Sequence, residues 1–160
     1  KTWGDFGKKA KAITLDKFDK KHSPVDNELL FFTGFSGERS KFVFNNLFNR
    51  GTPYLTQKCP FPDNVDEADA NYHFSLSYNP DLAASVDGTS YLPMPPGFSG
   101  SLVWDTKRWG CMQSEKDWEP ELSRVTGIVW GWPSSNACVL ATKVEHMNLE
   151  FLLNKAIEKD

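Results

Sequence analysis

Several features that mark common protein classes are missing from this sequence of 160 residues. No apolar run approaches the ~18 residues that a membrane-spanning helix requires. The 18 basic and 21 acidic residues give a net charge of −3 at pH 7, and no basic block stands out among them. Nucleic-acid-binding domains usually carry such a block. The composition therefore predicts a partner that is neither a membrane nor a nucleic acid.

Paired cysteines and metal-binding spacings are missing as well. Cys59, Cys111 and Cys138 are odd in number and widely separated, whereas the disulfide framework of a small secreted domain normally uses an even number. No Cys-x-x-Cys or Cys/His spacing typical of zinc is present. The acidic stretch 63–69 lacks the spaced oxygen ligands of a calcium loop. We therefore expect reduced thiols, a cytoplasmic location in preference to secretion, and no metal or other cofactor.

The sequence does contain short apolar segments separated by turns. Six of them are predicted to be strands: Leu29–Thr33, Phe42–Phe44, Tyr72–Tyr78, Leu102–Trp104, Val125–Trp132 and Cys138–Lys143. Leu47-Phe48 is a further candidate strand. Apolar and polar residues alternate in 72–78 with a period of two, which is the period of a β-strand. Gly51-Thr52-Pro53 is predicted to be a turn, and 107–123 a polar connection. This succession predicts a mainly β fold, a small antiparallel barrel, and not a parallel sheet with crossovers.

Both ends of the chain differ from this central part. Residues 1–28 are polar and lysine-rich, and we expect an inter-domain linker or the remnant of a preceding barrel there. Residues 29–160 are predicted to form the barrel domain. Near its end, five apolar residues follow helical spacing: Leu149, Leu152, Leu153, Ala156 and Ile157. This pattern predicts an amphipathic helix at about 148–158.

One serine lies between two glycines in the stretch Pro95-Pro96-Gly97-Phe98-Ser99-Gly100-Ser101. An acyl-transfer nucleophile needs such a tight loop, because bare backbone N–H groups beside it must hold a developing oxyanion. A simple turn is the alternative, since Gly-Ser-Gly turns are common. The quartet Gly-Phe-Ser-Gly occurs a second time, at 34–37. Neither copy has the strand, Gly-x-Ser-x-Gly and helix of an α/β-hydrolase elbow.

Four segments, at 30–37, 97–104, 125–132 and 139–144, follow one another along the chain as their counterparts do in a known family. They resemble the chymotrypsin-like (trypsin-like) serine peptidase family in its bacterial type. Gly97 to Trp104 is similar to the family's Gly-Asp-Ser-Gly-Gly/Ser-Pro loop and the strand after it. Val125 to Trp132 resembles the strand that ends near Ser-Trp-Gly, and Val139 to Val144 resembles the closing Tyr-Thr-Lys-Val. Leu30 to Gly37 resembles the first strand of the second barrel. The resemblance implies a six-stranded antiparallel Greek-key barrel, the C-terminal barrel of that fold, in a bacterial protein.

The resemblance also implies roles for individual residues. Ser99 would be the acylating nucleophile, and the backbone N–H groups of Gly97 and Ser99 would form the oxyanion hole. Val129, Trp130 and Gly131 would bind the substrate backbone, with Gly131 leaving the pocket mouth open.

Two departures from the family pattern limit these implications. Pro93 stands in the substrate-binding position where trypsin carries its acidic selector, so cleavage after Lys or Arg is not expected. Phe98 replaces the usual Asp. The salt link that a freed N-terminus makes with that Asp in trypsinogen-type zymogens is therefore not available.

A nucleophilic serine needs a base, and the base needs an orienting carboxylate. In the family, His and Asp precede the serine and lie on the first barrel. His22, His73 and His146 are each expected to be structural or solvated, and Asp5 lacks the apolar residues that usually follow the family's Asp. The resemblance thus implies a serine endopeptidase of which this chain supplies the nucleophile and the oxyanion hole. Its partners would be a polypeptide substrate and an N-terminal barrel of the same protein that carries His and Asp.

Two other function classes remain open. A barrel that has lost catalysis would be a binding module, and exposed tryptophan side chains would favour that alternative. The candidates for such exposure are Trp109, Trp118, Trp130 and Trp132. A hydrolase complete in itself would use His73 or His22 as the base for Ser99, which requires an imidazole within hydrogen-bond reach of the serine.

Overall fold

A computed structural model describes residues 13–44, 46–49, 51–63, 65–83 and 92–150. The strands in these ranges are β1 (Leu30–Gly34), β2 (Ser40–Val43), β3 (Asn46–Asn49), β4 (Thr52–Thr56), β5 (His73–Ser77), β6 (Leu102–Asp105), β7 (Arg124–Gly131) and β8 (Cys138–Lys143). The α-helix described there is α1 (Arg108–Gln113). Single 3-10 turns lie at Leu15–Lys17, Gly37–Arg39, Pro120–Leu122, Ser134–Asn136 and Val144–His146.

Six strands form one antiparallel sheet in the order β4-β1-β6-β7-β8-β5, curled into a half-barrel. The ends of its two edge strands meet. Lys58, just beyond β4, forms an antiparallel bridge with Leu76 of β5, and the N–H of Ser77 donates to the carbonyl of Gln57 at 3.0 Å. The strands β2 and β3 form a separate hairpin. The predicted mainly β fold with a six-stranded antiparallel sheet is confirmed.

The strand predicted at 42–44 and the candidate at 47–48 are strands, β2 and β3, but they form the separate hairpin and not part of the six-stranded sheet. The sixth strand of that sheet is β4, which begins at Thr52 and was not predicted. Residues 51–53, which were predicted to be a turn, therefore contain the first residues of β4. Proline is tolerated here because β4 is an edge strand, so a position without an N–H can face away from the neighbouring strand. Pro53 pairs with Thr33 of β1.

The inner face of the sheet holds a continuous apolar core. Alternate residues of the strands point into it, as the period of two predicts. Its buried members are Leu30, Phe32, Phe74, Leu76, Tyr78, Phe98, Val103, Val129, Val139 and Ala141. Nine of these ten belong to or directly follow strands, and the exception is Phe98, which comes from the serine loop. The core and the candidate site are therefore joined through one side chain.

The segment that precedes the sheet is fastened to it by polar contacts. The N–H of Asp19 donates to the carbonyl of Val125 at 2.9 Å. The ammonium group of Lys107 lies 2.8 Å from carboxylate oxygens of both Asp19 and Asp105. Asp105 is fully buried, and burial raises the pKa of its carboxyl while Lys107 opposes that rise. The described part of the predicted 1–28 linker thus packs against the half-barrel.

Helix α1 lies inside the stretch 107–123, which the sequence suggested was only a polar connection. Its first turn is held by the buried carboxylate of Glu28. That carboxylate accepts hydrogen bonds from the N–H of Trp109 at 2.9 Å, the N–H of Gly110 at 3.0 Å and the hydroxyl of Thr106 at 3.1 Å. Six residues are too few to show a helical period. The helix depends on a tertiary contact that no local pattern reveals.

The predicted C-terminal helix falls largely outside the described residues, which end at Glu150. Asp5 lies outside them too. No helix in the described ranges is both long enough and apolar enough to cross a membrane.

Replacing Glu28 by Ala should lower the free energy of unfolding by about 2–3 kcal/mol, because two helix N–H groups and a hydroxyl lose a charged acceptor. Glu28→Gln, which keeps one acceptor oxygen, should cost less. Asp26→Ala is the matched control, since Asp26 is an exposed acid two residues away. Urea unfolding of the three variants measures the difference, and an equal effect of Glu28→Ala and Asp26→Ala would contradict the role given to Glu28.

Candidate functional site

Ser99 lies on a loop that ends at the start of β6 and is exposed. Gly97 has φ +100° and Gly100 has φ +88°, conformations that favour glycine over every other residue. The N–H of Phe98 donates to the carbonyl of Pro95 at 2.8 Å and closes a turn just before the serine. The backbone geometry of the loop therefore explains why both positions are glycine.

Two backbone N–H groups beside the serine make no hydrogen bond. In the described residues of this loop, the donors of backbone hydrogen bonds are Phe98, Gly100 and Ser101, and none is made by the N–H of Gly97 or Ser99. Unpaired donors next to an exposed hydroxyl are what an oxyanion site requires.

The two copies of Gly-Phe-Ser-Gly touch each other. The hydroxyl of Ser36, fully buried, donates to the carbonyl of Met94 at 3.0 Å. The N–H of Gly37 donates to the carbonyl of Pro96 at 3.1 Å. A side chain on Gly97 would meet the carbonyl oxygen of Phe35 at 2.5 Å, so only glycine allows this approach. The first copy thus supports the second, a role that its repetition could have signalled but that sequence reasoning missed.

The end of β7 lies against the serine loop. The carbonyl of Val129 accepts the N–H of Gly100 at 2.8 Å, and its N–H donates to the carbonyl of Ser101 at 2.9 Å. The hydroxyl of Ser99 donates to the carbonyl of Trp130 at 3.2 Å. Val129 is buried, and Trp130 and Gly131 are half-buried. The structure therefore brings Ser99 together with the start of the predicted substrate-binding segment.

Pro93 lies in the interior of the protein and not at the surface of the serine loop. It is fully buried, and its carbonyl accepts the hydroxyl of Tyr78 at 2.6 Å. Burial raises the pKa of that phenol, so Tyr78 keeps the proton that it donates. The part of Pro93 in substrate binding, like that of Val129, Trp130 and Gly131, stays a prediction.

His22 is a buried structural residue. Its Nδ1 lies 2.8 Å from the hydroxyl of Thr126, its ring stacks on Phe74 with centroids 3.9 Å apart, and its Nε2 has no hydrogen-bond partner among the described residues. The backbone N–H of His22 donates to the carboxylate of Glu145 at 2.8 Å. Burial lowers the pKa of His22 to about 4. The imidazole is neutral near pH 7 and points into the protein.

The other two histidines are bonded elsewhere. The Nδ1 of His73 accepts the N–H of Asp69 at 3.1 Å, and its ring lies 4.9 Å from the ring of Trp130. The Nε2 of His146 lies 3.2 Å from the carbonyl of Asn71. Burial lowers the pKa of His73. In the part of the chain that the structure describes, the hydroxyl of Ser99 is hydrogen-bonded to a carbonyl and to no imidazole.

Within the described ranges, no group of three or more His, Cys, Asp or Glu side chains is placed to hold a metal ion. In the acidic stretch 63–69, the carboxylate of Asp69 accepts the N–H of Asn71 at 2.7 Å, which makes it part of a local turn.

Comparison of the chain with protein-family models, with curated proteins and with solved structures gave no match. The functional assignment therefore depends on the residues and contacts described above.

The buried His22 predicts a specific pH dependence of stability. Its pKa is about 4 in the folded protein against 6.5 ordinarily, so the unfolded chain binds one more proton between these values. The free energy of unfolding should therefore fall as pH decreases from 6.5 to 4, by roughly 3 kcal/mol from this residue.

Urea unfolding at pH 7 and pH 4.5 checks this expectation. His22→Gln should unfold more easily than wild type at pH 7, because the partner of Thr126 changes, and the gap should shrink at pH 4.5. The exposed His146 provides the control: His146→Gln should follow wild type at both pH values. A constant gap between wild type and His22→Gln would refute the assignment.

Proposed function

We propose that this chain is the serine-bearing half of a chymotrypsin-like serine endopeptidase, which cleaves peptide bonds through an acyl-enzyme. Ser99 is the nucleophile in this proposal, and the N–H groups of Gly97 and Ser99 stabilise the oxyanion. The observation that carries it is the pairing of an exposed serine hydroxyl with two unbonded N–H groups on one tight loop.

The order of the strands supports the same proposal. The strands β6, β7 and β8 are consecutive in the chain and adjacent in the sheet. Strand β5, which precedes them in the chain, lies on the far side of β8. This is the order of a Greek key. The bridge between Lys58 and Leu76 then links the two edges of the sheet. We accordingly propose a Greek-key barrel as the finer description of the half-barrel.

The proposed chemistry needs a base that the described residues do not place at the serine. His22 faces the interior and is neutral, and His73 is engaged with Asp69. In the family that the sequence resembles, His and Asp lie on a preceding barrel that faces the serine loop. The proposal therefore assigns the general base and its carboxylate to a part of the same protein outside this chain.

A fluorophosphonate probe tests the proposal, because it phosphonylates only a serine activated by a base. The longest natural form of the protein should be labelled at Ser99, and Ser99→Ala should abolish the labelling. Residues 1–160 alone should show no labelling and no peptidase turnover.

Ser101→Ala is the matched control, since Ser101 lies two residues away and holds Val129 through its backbone. It should leave the labelling intact. Labelling of the long form that survives Ser99→Ala would overturn the nucleophile assignment. Labelling of 1–160 that requires His73 or His22 would instead favour a hydrolase complete in itself.

A catalytically inactive binding module is the second candidate. The observation that favours it is the hydrogen bond from the hydroxyl of Ser99 to the carbonyl of Trp130, which leaves the serine without an imidazole. Tryptophan exposure gives it little support: Trp109 is exposed, at 36%, whereas the other three candidates are half-buried. A full-length sequence with no His and Asp upstream of Lys1 would decide for this function.

A further inference from the structure

We infer that the ring of Phe98 (the plug) packs into the space left by the missing side chain of Gly34 (the socket). This contact holds the N–H groups of Gly97 and Ser99 in the position that binds an oxyanion, so that no freed N-terminus is needed to form the site. Phe98 is then a positioning residue, which acts through the N–H groups on either side of it. This inference rests on the proposed peptidase function and concerns how the same site becomes active.

The plug is the aromatic ring of Phe98, which is 1% exposed. It packs edge-to-face against Tyr78 at 5.5 Å and against Phe32 at 5.8 Å between ring centroids. Such pairs stabilise a core beyond the apolar area that they bury. Tyr78 is itself fixed, because its hydroxyl donates to the carbonyl of Pro93 at the start of the same loop. The ring therefore has one defined site in the core.

The socket is Gly34 at the end of β1. A methyl group at this position would lie 2.3 Å from Cδ1 of the Phe98 ring and 2.5 Å from its Cε1. Real side-chain contacts are never this short, so the ring fits only because Gly34 has no side chain. The first residue of the first Gly-Phe-Ser-Gly copy thus receives the second residue of the other copy.

Anchoring the ring fixes the peptide groups on both sides of it. Phe98 lies directly between Gly97 and Ser99, two exposed residues whose N–H groups have no hydrogen-bond partner among the described residues. The N–H of Phe98 donates back to Pro95, and its carbonyl accepts the N–H of Ser101 at 3.0 Å. With the Phe98 ring in the core, the neighbouring N–H groups are held at the surface beside the serine. In this inference the buried ring of Phe98 does what the salt link between a freed N-terminus and Asp does in trypsinogen-type zymogens: it fixes the backbone beside the serine.

The test measures phosphonylation of Ser99 in the full-length protein by a fluorophosphonate probe, separated into the maximal rate and the half-saturating probe concentration. Phe98→Leu should lower the maximal rate about tenfold or more, because the oxyanion donors shift, and leave half-saturation unchanged. Gly34→Ala should act in the same way. The double variant should be no slower than Gly34→Ala alone, since leucine is smaller and can rotate away from the added methyl group.

Phe74→Leu is the matched control. Phe74 is a ring of the same core, 4% exposed, which packs on His22 and not on the serine loop. It should lower the melting temperature as Phe98→Leu does and leave the labelling rate at the wild-type value. Equal rate losses in Phe74→Leu and Phe98→Leu, or a wild-type rate in Phe98→Leu, would overturn the inference. So would labelling confined to protein whose N-terminus has been cut.

Hydrogen exchange separates this inference from the proposed function. In Phe98→Leu, and not in Phe74→Leu, the amides of Phe98, Gly100 and Ser101 should exchange at least about tenfold faster, because their hydrogen bonds to Pro95, Val129 and Phe98 open. If wild type is never labelled but shows this exchange difference, the peptidase proposal fails and the plug remains. If labelling occurs and exchange in 98–101 is unchanged in Phe98→Leu, the plug fails and the peptidase proposal stands.

Discussion

Phe98 carries its ring into a core that it shares with Phe32 and Tyr78, while its neighbours Gly97 and Ser99 remain at the surface. This division of three consecutive residues between interior and solvent needs a backbone that turns sharply. Positive φ at both glycines of the loop supplies the turn. The exposed serine is thus a consequence of core packing, and the loop has little freedom to change without moving the core.

The same constraint explains why the first Gly-Phe-Ser-Gly copy lies where it does. Its first glycine leaves room for the Phe98 ring, its serine donates to the carbonyl of Met94, and its second glycine donates to Pro96. Two loops distant in sequence are fitted to each other by groups with almost no side chain. Close approach of this kind relies on glycine, because any larger residue would separate the two backbones.

Buried polar groups attach the segment before β1 to the rest of the protein. Lys107 joins the linker residue Asp19 to the buried Asp105, and Glu28 holds the first turn of α1. His22 reaches the hydroxyl of Thr126 in the middle of β7. Each buried polar atom that is paired avoids the cost of lost hydration. These contacts fasten Asp19 to β6 through Lys107, Glu28 to α1, and His22 to β7, the strand whose far end lies beside Ser99.

Local pattern in the sequence was sufficient for most strands. Alternation at 72–78 and the continuous apolar run of β8 reflect burial of a β-strand, so their bounds were found to within a residue. The serine loop was also apparent, because two glycines around a serine constrain the backbone locally. Strand β4 was missed since Pro53 suggests a turn unless the strand is known to lie at an edge. Helix α1 was missed because its stability comes from Glu28, some eighty residues earlier in the chain.

The sequence by itself determined the mainly β fold and the position of the serine loop. These features depend on the periodicity of apolar residues and on residue types, such as glycine, whose effect on the backbone is local. The tertiary structure alone decided that the two Gly-Phe-Ser-Gly copies touch, that His22 faces the core and that Phe98 enters it. Such contacts join residues far apart in the chain, and their energy depends on shape and burial that no local pattern encodes.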